Sequence, residues 1–283
     1  KSYDHRNSYG ETYGLHRDAL EFGESEYKEL QNYAKELDID FFATPFDIWS
    51  IEFLEKLEMP FYKIASADLT NHPLQTEIAK LNKKIFLSTG GGNLDQVKRA
   101  KENINKFHND LAILHCTAAY PSPLEDMNLN VVNTYKQNFK DNVIGLSDHE
   151  NGIDAAPIAY LLGARVFEKH FTLDRSLKGT DHSFSLEPQG LSKLSRNLKR
   201  IPILLGSSEK KLLENEVAPL TKMLKSIVAK KEILKDTIIS LDHLSFKSPG
   251  GGITPDLVNK VIGKKINKNL NEDDLISEED LYE

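Results

Sequence analysis

Cysteine is nearly absent from this chain: Cys116 is the only one among 283 residues. No intrachain disulfide can form, which excludes a cross-linked secreted scaffold and makes a reducing cytoplasm the expected location. Long apolar runs are missing too. No stretch approaches the roughly 18 to 20 apolar residues that span a bilayer, and the N-terminus lacks the charged-then-apolar pattern of a signal peptide. No membrane partner is therefore expected. Positive charge is in deficit, with 36 Lys and Arg against 43 Asp and Glu and a formal charge of −7. That balance argues against a nonspecific grip on nucleic acid or an anionic membrane surface, leaves local basic patches open, and favours a small-molecule partner. An initiating methionine is also lacking. The chain opens on Lys1, so a fragment or a processed form is expected. What remains is ordinary globular material, 39% hydrophobic and 28% charged, enough for one large domain and a small one.

Six apolar runs alternate with amphipathic segments: Ile39–Ala43, Phe61–Ala65, Lys84–Leu87, Leu111–Cys116, Val143–Leu146 and Ala164–Phe167. They predict six β-then-α units. Helix starts are marked by Asp47 before Ile48–Lys56, Asn93 before Leu94–Ile104, and Asn151 or Asp154 before Ala155–Leu162. A polar residue closes each strand, at Thr44, Ser66, Ser88, Thr117, Ser147 and His170, spaced by 22 to 30 residues. An open doubly wound sheet shares this alternation. However, no Gly-x-Gly-x-x-Gly turn follows the first strand, and polar residues close every strand instead of one switch point. The reading is a (β/α)8 TIM barrel. Only six of its eight strands are legible, so the first two β/α units are expected to be lacking from the N-terminus.

Beyond the sixth strand, Leu191–Leu205 reads as a helix and Gly206–Met223 as a connector rich in Lys, Glu and Ser. The remainder carries short runs, Ser226–Ala229 and Thr237–Ser240, then the turn-prone Ser248-Pro-Gly-Gly-Gly-Ile253. The expected division is a barrel domain over 1–205, a linker over 206–223 and a small, mostly β module over 224–283.

All strands of a parallel barrel end at one mouth, so residues far apart in sequence converge there. His149, in Ile144-Gly-Leu-Ser-Asp-His149, and His170, in Phe167-Glu-Lys-His170, end adjacent strands and become neighbours. Two neutral imidazoles can hold a divalent metal and leave coordination positions open. The alternative is a pair of hydrogen-bonded strand-end histidines. Lys63 lies within a strand and needs a negative partner, either an anionic ligand or a core carboxylate. Ser66, Ser88 and the Thr89–Gly92 turn offer donors to an oxyanion, or are simply a turn. Asp68, Asp148, Glu168 and Asp181 place carboxylates around the rim, as site residues or as caps and solvated surface. Tyr120 either orients a substrate or packs over the barrel end. For Cys116 no activating arrangement is evident, and a buried apolar role is expected.

Several segments together resemble the sialic acid synthase family. They are Lys63-Ile-Ala-Ser-Ala-Asp-Leu-Thr-Asn71, Leu87-Ser-Thr-Gly90, Leu114-His-Cys-Thr-Ala-Ala-Tyr-Pro121, Ile144–His149, Glu168-Lys-His-Phe-Thr-Leu-Asp174, Lys178-Gly-Thr-Asp-His182 and Ser185-Leu-Glu-Pro188. The tail from Lys225 to Ile253 is similar to the antifreeze-like (SAF) domain that closes such enzymes. The resemblance implies condensation of phosphoenolpyruvate with an N-acylated mannosamine-type sugar, giving N-acetylneuraminate or a related nonulosonic acid and phosphate. It implies His149 and His170 as ligands of a divalent metal, usually Mn2+, with Mg2+ and Co2+ as alternatives. It matches Thr44, Lys63, Ser66, Ser88 and Ser147 to phosphoenolpyruvate, and Asp68, Tyr120 and Asp181 to the sugar. It also implies a domain-swapped homodimer in which one subunit's antifreeze-like domain covers the partner's barrel.

Three departures accompany the resemblance. The glutamate and the further lysine that the family's first two strands supply have no counterpart here. Ala118 stands where a bacterial pattern has Asn, and Ser248 where many bacterial members place Arg. A noncatalytic sugar-binding homologue, or an inactive fragment of the same fold, is therefore the alternative reading. A synthase of another 3-deoxy-ulosonic acid is disfavoured by the tail. Finally, Asn7–Arg17 resembles animal-type synthases that take a 6-phosphorylated sugar, which makes His16 or Arg17 a candidate determinant of that preference.

Overall fold

In a computed structural model, residues 2–3 and 7–283 are described. The chain divides into two compact units, Lys1–Gly206 and Ser207–Glu283. The first unit opens with helices α1 (Tyr13–Asp18), α2 (Glu24–Glu36) and α3 (Ile48–Lys56). Strands and helices then alternate: β1 (Tyr62–Ile64), α4 (His72–Lys80), β2 (Ile85–Ser88), α5 (Leu94–Ile104), β3 (Leu111–Cys116), α6 (Val131–Asn138), β4 (Val143–Asp148), α7 (Ala155–Leu162) and β5 (Val166–Lys169). A long helix, α8 (Pro188–Leu205), ends the unit.

The five strands form one parallel sheet in sequence order, β1-β2-β3-β4-β5. With its helices, this curled sheet is part of a TIM-type barrel. Register places Lys63 beside Phe86, Ser88 beside Leu114, Cys116 beside Ser147, and Ser147 beside Glu168. Because side chains alternate along a strand, these residues share one face. The other face carries Tyr62, Ile64, Ile85, Leu87, Ile113 and Leu146, all essentially inaccessible, against helical residues such as Ile78, Val97 and Ile104. The core thus lies between sheet and helices, and the opposite face is left for polar chemistry. Gly145 permits this spacing, since a Cβ there would stand 2.6 Å from the Val166 carbonyl oxygen.

The helix starts follow from local chemistry. Asp47 accepts from the Ser50 N–H at 2.7 Å, and Asn93 forms a reciprocal capping box with Gln96. Asp154 takes the N-cap position before Ala155 without a side-chain bond.

One expected strand is corrected. Ile39–Ala43 is extended but joins no ladder among the described residues; the Ile39 N–H returns to the Ala34 carbonyl and closes α2. Apolar side chains hold the segment instead: Phe41 and Ala43 pack on the core, and the Phe42 ring lies 4.5 Å from that of Phe61. Among the described residues the parallel sheet therefore has five strands where six were expected.

The second unit has its own core of Ile227, Ala229, Ile233, Ile239, Leu244, Val261, Ile266 and Ile276. It contains α9 (Glu214–Met223), the antiparallel pair β6 (Ser226–Ala229) and β7 (Leu244–Lys247), a short α10 (Val258–Val261), and the pair β8 (Lys265–Ile266) and β9 (Leu281–Tyr282). Two expectations change here. The stretch read as a connector holds α9, and Thr237–Ser240 contributes one isolated bridge, Ile238 to Lys265, instead of a strand.

Candidate active site

Lys63, on the polar face of β1, is only 8% exposed and ion-paired to Glu168 of β5 at 3.1 Å. The Ser88 hydroxyl, from β2, reaches the other oxygen of the same carboxylate at 3.5 Å. Of the two partners open to Lys63, the chain supplies the carboxylate itself, and does so on the face where a ligand would lie. The Glu168 side chain is 42% exposed against 10% for Lys63. Glu168 is therefore the more accessible member of the pair, the one an anion could displace.

Beside this pair, strand ends β1, β2, β3 and β4 approach closely. Ser66 accepts from the Gly90 N–H at 2.9 Å, which leaves its own O–H free to donate. A Cβ at Gly90 would stand 2.9 Å from Ser66 Oγ, Cys116 Sγ and Ala118 Cβ alike. Only glycine lets the turn come this near. Ser147 is buried in register with Cys116.

Cys116 is buried as expected, and polar groups surround its thiol. Burial pushes its thiol up, but hydrogen bonds from His149, Ser66 and Ser147 outweigh burial and bring it below the ordinary range. Its Sγ lies 3.8 Å from His149 Nδ1.

His149 is 6% exposed, and its Nδ1 stands 2.9 Å from the Thr117 carbonyl oxygen. A carbonyl only accepts, so Nδ1 carries a proton; in the neutral ring Nε2 then keeps its lone pair. Burial lowers its pKa, while Cys116 and the Thr117 carbonyl together raise it above the ordinary value. His170 lies next to it, with ring centroids 5.1 Å apart. Burial lowers His170 more than Asp181, whose Oδ2 is 3.7 Å from Nδ1, raises it. The neutral form of that imidazole is thereby favoured. Tyr120 covers both rings at 4.2 and 5.9 Å, and Phe184 packs on His170 at 5.1 Å.

Two adjacent imidazoles are a donor pair to which a divalent metal could bind. Among the described residues no group of three or more His, Cys, Asp or Glu side chains is arranged to hold an ion. Substrate or solvent would fill the remaining positions.

Asp68 is buried at the end of β1. Asn71 donates to its Oδ1 at 2.9 Å, while Oδ2 is buried with no partner among the described residues. A buried, unpaired carboxylate oxygen is costly and is expected to meet a donor on a ligand. Thr44, by contrast, lines a separate cavity of about 560 Å³ with Arg17, Phe46 and Trp49. His16 is buried against Tyr3, Tyr9 and Tyr13, and accepts from the Tyr9 N–H at 3.1 Å. It is a packing residue. Arg17 pairs with Glu21 at 3.5 Å.

Two family descriptions match the chain, the NeuB family over residues 1–210 and the SAF domain over 225–281. The human N-acetylneuraminate-9-phosphate synthase is 40% identical over 280 residues, covering 99% of this chain and 78% of that protein. The N,N'-diacetyllegionaminic acid synthase of Campylobacter jejuni is 41% identical over 262 residues, covering 92% and 78%. The crystal structure of the N-acetylneuraminic acid synthetase from Leptospira borgpetersenii superposes with a TM-score of 0.67 at 32% identity, over 75% of each chain.

Proposed function

Since the chain belongs to the NeuB family and carries a SAF domain, a family whose characterised relatives are sugar-acid synthases, we propose that it condenses phosphoenolpyruvate with an N-acylated mannosamine-type aldose. The product is N-acetylneuraminate or a related nonulosonic acid, with release of phosphate. The observation that carries this reading is the convergence of Lys63, Glu168 and Ser88 with His149 and His170 on one face of the sheet. One half suits a small, highly charged anion; the other suits the oxygen of an electrophile.

In this reading Lys63 leaves Glu168 for phosphoenolpyruvate, aided by the hydroxyls of Ser66, Ser88 and Ser147. Thr44, matched to phosphoenolpyruvate by resemblance, lies in another cavity and has no assigned contact. His149 and His170 hold the divalent cation, Mn2+ by resemblance, which when bound supplies Lewis-acid polarisation of the open-chain aldehyde. Carbon 3 of phosphoenolpyruvate bonds to the aldehyde carbon, whose oxygen takes a proton. Water adds at carbon 2, and the resulting tetrahedral centre expels phosphate. Lys63 and the hydroxyls hold the charge on the phosphoenolpyruvate part throughout, as preorganised donors in a partly dry site. Tyr120 and Asp181 orient the sugar above the imidazoles, and Asp68 Oδ2 accepts from a sugar hydroxyl. A homodimer, with the SAF unit of one copy over the mouth of another, belongs to the same reading.

Release of inorganic phosphate from phosphoenolpyruvate by the protein is the test. It should require both an N-acylated aldose and Mn2+. Release without aldose would overturn the reading, and no release with any N-acylated mannosamine would overturn it in favour of a noncatalytic sugar-binding protein. With His16 buried under tyrosines and Arg17 paired to Glu21, turnover of N-acetylmannosamine against its 6-phosphate decides whether the N-terminal segment selects a phosphate. A clear preference for the free sugar removes Arg17 from that role.

A further inference from the structure

Directly behind the two histidines lies an ion pair that the proposed chemistry does not use. Asp148 and Lys169 are register partners on β4 and β5, each one residue before a histidine. Alternation turns them to the face away from Lys63, where their side chains are 2% and 5% exposed and meet at 2.8 Å. With Leu191, Leu194 and Leu198 of α8 they line a cavity of about 400 Å³ on the helix side.

Their bonds converge on the backbone that carries His149. Asp148 Oδ1 accepts from the Glu150 N–H at 2.8 Å, and Lys169 Nζ donates to the Glu150 carbonyl. Both backbone groups of the residue after His149 are therefore held by the pair. The Glu150 side chain in turn accepts from the Ala155 N–H at the start of α7, at 3.1 Å. The His149 carbonyl itself accepts from the Ser122 N–H at 3.0 Å, and the His170 carbonyl from the Leu186 N–H at 2.9 Å. The chain thus has little freedom on either side of His149, and Lys169 ties the His170 strand to the same anchor.

From this geometry we propose that Asp148 and Lys169 are positioning residues: their buried contact sets the separation and orientation of the His149 and His170 imidazoles. The proposal rests on the metal reading of those histidines. A buried ion pair is in general weak evidence for stability, because desolvation offsets the attraction, and a neutral pair of similar volume is often tolerated. Its double attachment to one loop residue gives it a geometric role instead. Partners behind the ligating side chains typically change metal affinity 10- to 100-fold when lost.

The test compares the wild type with Asp148→Asn and with the neutral double variant Asp148→Asn/Lys169→Gln, which leaves no unpaired charge. Side-chain NMR of the imidazoles without metal reads geometry, and calorimetric titration with Mn2+ reads affinity. Both variants should stay folded by near-UV circular dichroism. The His149 Nδ1–H signature should weaken as the Thr117 contact loosens, and Mn2+ affinity should fall about 10- to 100-fold, most in the double variant. Lys169→Arg, which keeps the charge, should restore part of the affinity lost in a Lys169→Gln single variant. Unchanged imidazole signals together with affinity within about twofold of wild type would overturn the proposal. Loss of the fold in both variants would overturn it equally, by assigning the pair to stability. Absence of Mn2+ binding by the wild type would sink the metal reading alone; the imidazole signals would still decide the positioning role.

Discussion

At the scale of single residues, the site turns on which partner Lys63 keeps. Its ammonium is nearly buried and sits 3.1 Å from a carboxylate that is itself half exposed. Exchanging Glu168 for a ligand anion leaves the lysine paired throughout, so no step strands a charge in the sheet. Lys63→Met removes that pairing. Because a hydrogen bond to a charged group contributes about 1.5–3 kcal/mol, KM for phosphoenolpyruvate should rise on the order of tenfold to a hundredfold. KM for the aldose should stay within about twofold if, as proposed, the sugar lies over the imidazoles instead. Steady-state kinetics with each substrate varied in turn reads the split. An unchanged KM for phosphoenolpyruvate would take Lys63 out of the anion site.

Elements position these residues, and their stability is local. Helix α5 buries Val97, Ala100 and Ile104 behind β2 and β3, and it starts at a capping box between Asn93 and Gln96 with Asp95 in the first turn. Asn93→Ala should cost about 1 kcal/mol and Asn93→Gly only a few tenths, because glycine also suits an N-cap. Urea unfolding, read at an unchanged slope, separates the two; equal losses would mean the cap contributes nothing specific. This level was the most legible in the sequence. Asp47 and Asn93 marked their helices to the residue, and β3 runs over Leu111–Cys116 as the apolar run did. What stayed hidden depends on distance. Ile39–Ala43 has the composition of a strand, but a strand exists only through its neighbour's backbone. The Lys- and Glu-rich stretch before Ser226 hid α9, a helix with Pro219 inside it and no buried residue. The site was half readable. The strand pattern placed Ser66, Ser88, Ser147, His149 and His170 at neighbouring strand ends and Lys63 within β1, and the structure brings them together because parallel register turns spacing into proximity. Thr44 follows a segment that joins no ladder among the described residues and lines another cavity, while the surroundings of Cys116 and the Asp148–Lys169 contact arise across strands, which spacing along the chain does not reveal.

For the molecule as a whole, burial of ionisable groups makes stability depend on pH, and His115 is the clearest case in the larger unit. It points from β3 into the interior, 7% exposed, with ring Nε2 donating to the Met127 carbonyl at 2.7 Å. Burial lowers its pKa, and the hydrogen bond to Met127 only partly opposes this. The native state therefore binds this proton less readily than the unfolded chain does. Above the unfolded imidazole value of about 6.5, neither state is protonated and the folded form keeps its full advantage. As pH falls below that value the unfolded chain takes up the proton first, so stability declines until the lower native pKa is passed. The limiting slope for one group is about 1.4 kcal/mol per pH unit. His170 is lowered in the same way and His149 is raised, so the wild-type profile sums opposing contributions. A difference isolates one of them. His115→Gln keeps an amide donor toward Met127 but cannot titrate. It should be somewhat less stable at pH 7.5, yet lose less than wild type between pH 6.5 and 5. Guanidinium unfolding of both proteins across that range, followed by the single Trp49 in the larger unit, gives the two slopes directly. Parallel slopes would show that His115 keeps the same affinity for its proton in both states, and that its burial is relieved by a path to water.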